Sequence, residues 1–298
     1  MEQVRVTLAN GIALDVVDAG PRDGEALIFL HGFPESHRTW RKQITRFSDR
    51  YRCIAPDQRG YRGSSKPEGV ENYTPDKLIG DVFLLADALG IDRFSIVGHD
   101  WGGALAWAVA MRGQGDRVDR AILCNAAHPV IYSKLLWTDP AQREAGQYMR
   151  LYRDTSRDDE IRAKGLRALI EGTGNATGAL PEDDPEERAA ILADWSDGEA
   201  AIGMINWYRA TPMVVPPAVA PFEIPPDAKL PRVPVITIPT LVIWAMDDHA
   251  LVPGNIEGLE QHVTDLTVET IPDCGHFLLW QQPGKVNAAI EAFLCRTA

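Results

Sequence analysis

The chain has 298 residues, 45% of them hydrophobic and 24% charged, enough for one large α/β domain or for a core carrying an insertion. Its formal net charge of −12 at pH 7, without any basic run, excludes a nucleic-acid footprint and disfavours anionic partners. No apolar run reaches membrane-spanning length, and Met1-Glu2-Gln3-Val4-Arg5 lacks the charged-then-apolar pattern of a secretory signal, so a cytoplasmic location is expected.

The first third alternates strand and helix signals. Residues 4–8 and 12–17 read as strands flanking Asn10-Gly11, which predicts a two-residue type I′ hairpin turn. Residues 26–30 form a continuous apolar run, as expected of a strand buried on both faces. Residues 51–55 read as the next strand. Thr74-Pro75-Asp76 predicts a helix start with Thr74 as cap. That helix carries Leu78, Val82, Leu85 and Leu89 at helical spacing, and Gly90 ends it. Strands at 94–97 and 121–124 bracket a helix of small residues. Such alternation predicts a mainly parallel sheet covered on both faces.

The rhythm breaks near Asn125. From about residue 128 to 208 the chain reads as helices rich in Trp, Tyr and charge. Prolines crowd the stretch from Pro212 to Pro239 and predict a stiff, extended strap. Strand signals resume at 240–245 and 266–271, and a last helix spans 286–294. The four cysteines, Cys53, Cys124, Cys274 and Cys295, have no metal-ligand spacing and read as free thiols.

One hexapeptide carries chemistry. Gly98-His99-Asp100-Trp101-Gly102-Gly103 sits between a strand and a helix. Small-x-nucleophile-x-small at such a junction is the pattern of a nucleophile elbow. The nucleophile position holds Asp100. A serine there must lose a proton before it attacks, whereas a carboxylate is already ionised at neutral pH. Attack on a carbonyl would give an anhydride. Attack on an alkyl carbon gives an ordinary ester, which water can hydrolyse. Asp100 therefore points to substrates such as epoxides or alkyl halides.

Partners lie downstream. The strand ending at Ala245 runs into Met246-Asp247-Asp248-His249, and the strand ending at Ile271 runs into Pro272-Asp273-Cys274-Gly275-His276. Sites in open parallel sheets form beyond the carboxyl ends of strands. His276 is the candidate base, with Asp247 or Asp248 to orient it. The order nucleophile, acid, histidine is that of α/β-hydrolases.

Other motifs fall in step: His31-Gly32-Phe33-Pro34, Asp57-Gln58-Arg59-Gly60-Tyr61-Arg62-Gly63-Ser64-Ser65, Asn125-Ala126-Ala127-His128-Pro129 and Asn206-Trp207-Tyr208-Arg209. With these the chain resembles, over its whole length, the soluble epoxide hydrolase branch of the α/β-hydrolases. The resemblance implies a mostly parallel eight-stranded sheet flanked by helices, with a helical cap inserted. It places the core at 1–129 and 231–298 and the cap, with its proline-rich strap, at 130–230. The family pattern that starts at Trp244 lands on Asp248 as triad acid. It implies an oxyanion hole from the backbone N–H groups of Phe33 and Trp101, and a cis bond at Phe33-Pro34. Two cap tyrosines would donate to the epoxide oxygen: Tyr208, and Tyr148 or its neighbour one turn on, Tyr152. Tyr132 is a more distant candidate. Leu151-Tyr152-Arg153 departs from the two Phe and a Gln that relatives often carry. Trp101, Phe33, Tyr152 and Trp207 are the expected substrate contacts. His31 and His99 are expected to be supports.

The implied reaction turns an apolar or aromatic epoxide into a vicinal diol, in a monomer or homodimer, with no metal or cofactor. Two alternatives remain open. A haloalkane or haloacid dehalogenase would use the same triad, although Phe33 stands where haloalkane enzymes commonly carry Asn. A silent ligand-binding relative would keep the fold without turnover.

Overall fold

Eight strands form one sheet in the computed structural model, which describes residues 2–170 and 178–296. They are β1 (Glu2–Thr7), β2 (Ala13–Ala19), β3 (Ala26–Leu30), β4 (Arg52–Pro56), β5 (Phe94–His99), β6 (Val118–Cys124), β7 (Thr240–Ala245) and β8 (Leu266–Ile271). Their order is β1-β2-β4-β3-β5-β6-β7-β8. Only β1–β2 and β2–β4 pair antiparallel; the other neighbours are parallel. Every residue of β3, β4, β5 and β7 is buried, as a sheet covered on both faces requires. The edge strands β1 and β8 keep one face wet.

The core helices are α1 (Arg41–Phe47), α2 (Pro75–Ala88) and α3 (Asp100–Gly113). Further helices follow β6 in the region expected to be a cap: α4 (Pro129–Thr138), α5 (Pro140–Ala145), α6 (Tyr148–Arg153), α7 (Asp158–Lys164), α8 (Arg167–Ile170), α9 (Pro185–Asp194) and α10 (Gly198–Ala210). The chain closes with α11 (Leu278–Gln281) and α12 (Pro283–Arg296). Alternate strand residues feed two apolar layers. Leu27, Phe29, Val97, Ile122 and Ile243 pack on α1, α11 and α12. Ile28, Leu30, Ile96, Leu123 and Trp244 pack on α2 and α3, and that layer continues into the cap.

Residues 171–177, inside the expected cap, lie outside the described residues. The expected proline-rich strap contains no helix or named strand; Ile236 makes one bridge to Val263. No described helix is long and apolar enough to cross a membrane. All four cysteines are free, and three are buried.

The first hairpin differs from expectation. Leu8 and Ile12 close its loop, with Leu8 N–H donating to Ile12 O at 2.7 Å and Gly11 N–H to Leu8 O at 2.9 Å. Gly11 alone holds positive φ, at +84°; a type I′ turn would need Asn10 there as well. The Asn10 side chain instead accepts from Ile12 N–H and donates to Asp81 Oδ1. The result is a three-residue loop whose bulge is carried by glycine.

Candidate active site

β5 runs straight into α3, so Asp100 is the first residue of the helix. It holds φ of +50°, a region L-residues avoid. The fold closes around that strain with glycine. A Cβ on Gly98 would lie 2.5 Å from the Gly102 carbonyl oxygen, and one on Gly102 would lie 2.2 Å from that of Leu30. Without side chains there, the turn packs against β3 and the Asp100 carboxylate projects into a cavity.

The loops after β7 and β8 deliver the partners. His276 Nε2 lies 3.6 Å from Asp100 Oδ2, and its Nδ1 lies 2.6 Å from Asp248 Oδ2. Asp248 is buried, while its neighbour Asp247 is exposed, so Asp248 is the carboxylate that meets His276. Its other bonds are complete. Asn125 Nδ2 donates to Oδ2 at 2.6 Å, and the N–H groups of Ala250 and Leu251 donate to Oδ1 at 2.7 and 2.9 Å. Burial alone would raise the Asp248 pKa, but the His276 charge and these donors hold it below the usual range. For His276, burial works against the charged form. Asp248 and Asp100 together overcome it and lift the pKa well above the ordinary value. The Nδ1 proton points to Asp248, which leaves Nε2 facing Asp100.

Phe33 N–H donates to Asp100 Oδ1 at 2.8 Å, and the Phe33-Pro34 bond is cis. The Trp101 N–H opens α3 beside it and is not among the described hydrogen bonds to the carboxylate. Beneath Asp100, Asp248 and His276 lies a second buried pair. His99 Nδ1 meets Glu35 Oε2 at 2.7 Å, and Nε2 meets the His276 carbonyl at 2.9 Å. Burial would raise the Glu35 carboxyl, yet His99 and three hydrogen bonds bring it down to about 2. His31 takes Gln58 N–H at Nε2, at 3.1 Å, and faces Gly32 O through Nδ1, at 2.9 Å.

A cavity of about 80 Å³ opens over Asp100. Its polar groups are the Asp100 carboxylate and the phenols of Tyr132, Tyr148 and Tyr208; Trp101, Met149, Met213 and Leu251 supply apolar wall. Burial first, then neighbouring phenols and Asp100, push Tyr148 and Tyr208 well above an ordinary phenol, so both keep their protons at neutral pH.

Three expected substrate contacts do not line this cavity. Adjacent residues on a helix point about 100° apart. Tyr208 therefore faces Asp100, while Trp207 turns to the core, where its indole donates to Arg59 O at 3.0 Å and its ring meets Tyr61 edge-on. Tyr152 is packed behind, its ring 5.0 Å from Tyr208 and 5.3 Å from Phe33. Phe33 contributes its backbone, while its ring joins that aromatic stack. Asn125 was legible only as a motif member, and Glu35, one residue beyond its motif, was not singled out; nothing local in the sequence says that one anchors Asp248 and the other anchors His99.

Comparison with known proteins gives the family. Residues 25–283 match the family described as alpha/beta hydrolase fold. Epoxide hydrolase 1 of Caenorhabditis elegans is 31% identical over 291 residues, covering 95% of this chain and 68% of that protein. A solved structure from work on novel epoxide hydrolases in metagenomes from hot environments is 59% identical, with a TM-score of 0.94 over 99% of this chain and 98% of that one. A mutant epoxide hydrolase from Bacillus megaterium, complexed with its product, a naphthyloxy-propane-1,2-diol, is 29% identical with a TM-score of 0.82 over 98% of this chain and 100% of that one. The chain belongs to the α/β-hydrolase fold family, in the company of its epoxide hydrolases.

Proposed function

We propose that this chain hydrolyses epoxides to vicinal diols through a covalent ester on Asp100. The observation that carries the reading is the single cavity in which the Asp100 carboxylate faces the protonated phenols of Tyr148 and Tyr208. Asp100 attacks a ring carbon as the ring C–O bond breaks. The leaving oxygen takes a proton from a phenol, whose rigid hydroxyl suits that task. Formation of the ester cancels the charge of Asp100. His276 then keeps only Asp248 as a nearby anion, its pKa falls, it gives up the proton it held, and it can then take one from water. That water attacks the ester carbonyl; collapse of the adduct breaks the ester C–O bond, and the departing alkoxide takes the proton of the new Asp100 carboxyl. The oxyanion forms at the Asp100 oxygen held by Phe33 N–H, beside the start of α3, where the helix dipole favours negative charge.

The cap, read as 130–230, supplies Tyr148 and Tyr208 and so selects substrate; the core, 1–129 and 231–298, supplies the triad. Among the described residues no cationic side chain lines the cavity, which favours neutral, apolar or aromatic epoxides. The diol bound by the Bacillus megaterium enzyme is of that kind.

Replacing His276 with Gln stops the second step and traps the first. The variant should gain the mass of the substrate on Asp100 from an epoxide panel. A haloalkane and haloacid panel should leave no adduct. Adducts from halides alone, with halide release by the parent enzyme, would overturn the reading. No adduct and no turnover from either panel would favour a silent binding protein.

A further inference from the structure

Three phenols face the Asp100 cavity, and the mechanism above uses two. The third, Tyr132, comes from α4 and is 7% exposed. Its backbone N–H bonds the His128 carbonyl at 2.9 Å, which fixes it in the first turn of the cap. Its hydroxyl donates to the Met149 sulfur at 4.0 Å, a weak acceptor, and also interacts with the Tyr148 side chain. Met149 is the neighbour of Tyr148, and the Tyr132 and Tyr148 hydroxyls are close enough that each alters the ionisation of the other. A thioether holds the donor end of that hydroxyl only weakly.

We propose that Tyr132 is a positioning residue for ring opening, its hydroxyl supporting the Tyr148 oxygen as that oxygen gives up its proton. This rests on the reading of Tyr148 as a donor to the epoxide. As the Asp100 oxygen bonds to the ring carbon, the ring C–O pair moves to oxygen, which takes the Tyr148 proton. The charge then sits on the Tyr148 oxygen. Tyr132 turns its O–H from sulfur to that oxygen; the weakness of the thioether bond makes the exchange easy. Once Asp100 is esterified, the proton that His276 sheds restores Tyr148. In the second step His276 takes a proton from water as the water oxygen bonds the ester carbonyl; the ester C–O bond then breaks, and the leaving alkoxide takes the proton of the new Asp100 carboxyl. Epoxide and water are consumed, a diol forms, and no charge is left over.

Tyr132→Phe keeps the ring and removes only the hydroxyl. Single-turnover mixing separates formation of the ester from its hydrolysis. The expected result is a roughly tenfold slower ester formation, the scale of one hydrogen bond to a charged oxygen. Substrate affinity should change less than about twofold, and ester hydrolysis should keep its rate. The loss should shrink for epoxides whose leaving oxygen is made more acidic by electron-withdrawing substituents. A wall residue would show none of this split. Tyr148→Phe is measured alongside. If it slows ester formation while Tyr132→Phe does not, the proposal fails and the mechanism stands. If Tyr148→Phe leaves ester formation intact, the donor reading fails and takes the proposal with it. Weakened affinity in Tyr132→Phe with an unchanged ester-forming rate would also overturn the proposal.

Discussion

The two carboxylates around His276 tie its basicity to the state of Asp100. With both charged, the imidazole holds its proton well above the usual pKa. In the ester proposed on Asp100, one of those charges is gone; by that mechanism ester formation needs no neutral imidazole, but hydrolysis does. Lowering the pH should therefore slow the second step before the first, and the ester should accumulate. Mass spectrometry of enzyme quenched during turnover at pH 5 and pH 8 should find more ester at pH 5; equal fractions would contradict this coupling. A different histidine contributes to acid stability. His128 is buried, stacked at 4.3 Å on His262, and neither of its ring nitrogens has a hydrogen bond among the described residues. Burial, then His262, lowers its pKa from 6.5 to about 3. The folded state thus binds fewer protons than the unfolded state between those values. Stability is full above pH 6.5 and is lost as pH falls toward 3. His128→Phe, which keeps an aromatic edge toward Trp107, should be on the order of 2 kcal/mol more stable relative to the parent at pH 5 than at pH 8, judged by urea midpoints. Spacing alone made Asp100 and His276 readable. The choice between Asp247 and Asp248 was not readable from the residues, because adjacent carboxylates differ only in burial.

Among the elements, the strand-turn-helix of the elbow tolerates least. Gly102 sits where a methyl group would strike two backbone oxygens, those of Leu30 and His31, at 2.2 and 2.4 Å. Backbone cannot swing aside as a flexible side chain can. Gly102→Ala must push α3 away from β3, and α3 begins with Asp100. Overpacking of this sort costs about 1–3 kcal/mol or more. The expected outcome is a lower melting temperature together with loss of ester formation; a variant with parental melting and rate would show that the turn has slack. This element was legible because its demands are local: strand, small residues and helix follow one another in the chain. The first hairpin was less so. Asn10-Gly11 signals a tight turn, but the side-chain bonds of Asn10 to Ile12 and to distant Asp81 favour a loop one residue longer. A dipeptide rule does not see Asp81.

At the scale of the molecule, cap and core meet along two kinds of contact. Three core arginines face acids on or beside α9. Arg38 pairs with Glu187 and Asp194 at 3.3 Å, Arg62 with Asp194 at 2.8 Å, and Arg41 with Asp184 at 3.4 Å. Deeper in, two indoles donate across the seam: Trp195 to Pro34 O at 2.7 Å and Trp207 to Arg59 O at 3.0 Å. None of these pairings was legible in the sequence, since more than a hundred residues separate the partners and nothing local marks them. Magnitudes decide which kind matters. Partly exposed ion pairs are worth about 0–1 kcal/mol and are screened by salt. A buried carbonyl that loses its donor costs about 1–3 kcal/mol, and salt does not soften it. Trp195 also has a position that the acids lack. The carbonyl it holds belongs to Pro34, and the preceding residue, Phe33, gives its N–H to Asp100. Asp194→Asn should therefore raise cap mobility modestly, seen as faster amide exchange in α9, with an effect that vanishes in high salt and a near-parental rate of ester hydrolysis. Trp195→Phe should slow ester hydrolysis severalfold at every salt concentration, because the loop that aims the oxyanion donor is loosened. If the salt-sensitive variant proved the slower of the two, the ionic seam, and not the indole, would be what holds the site closed.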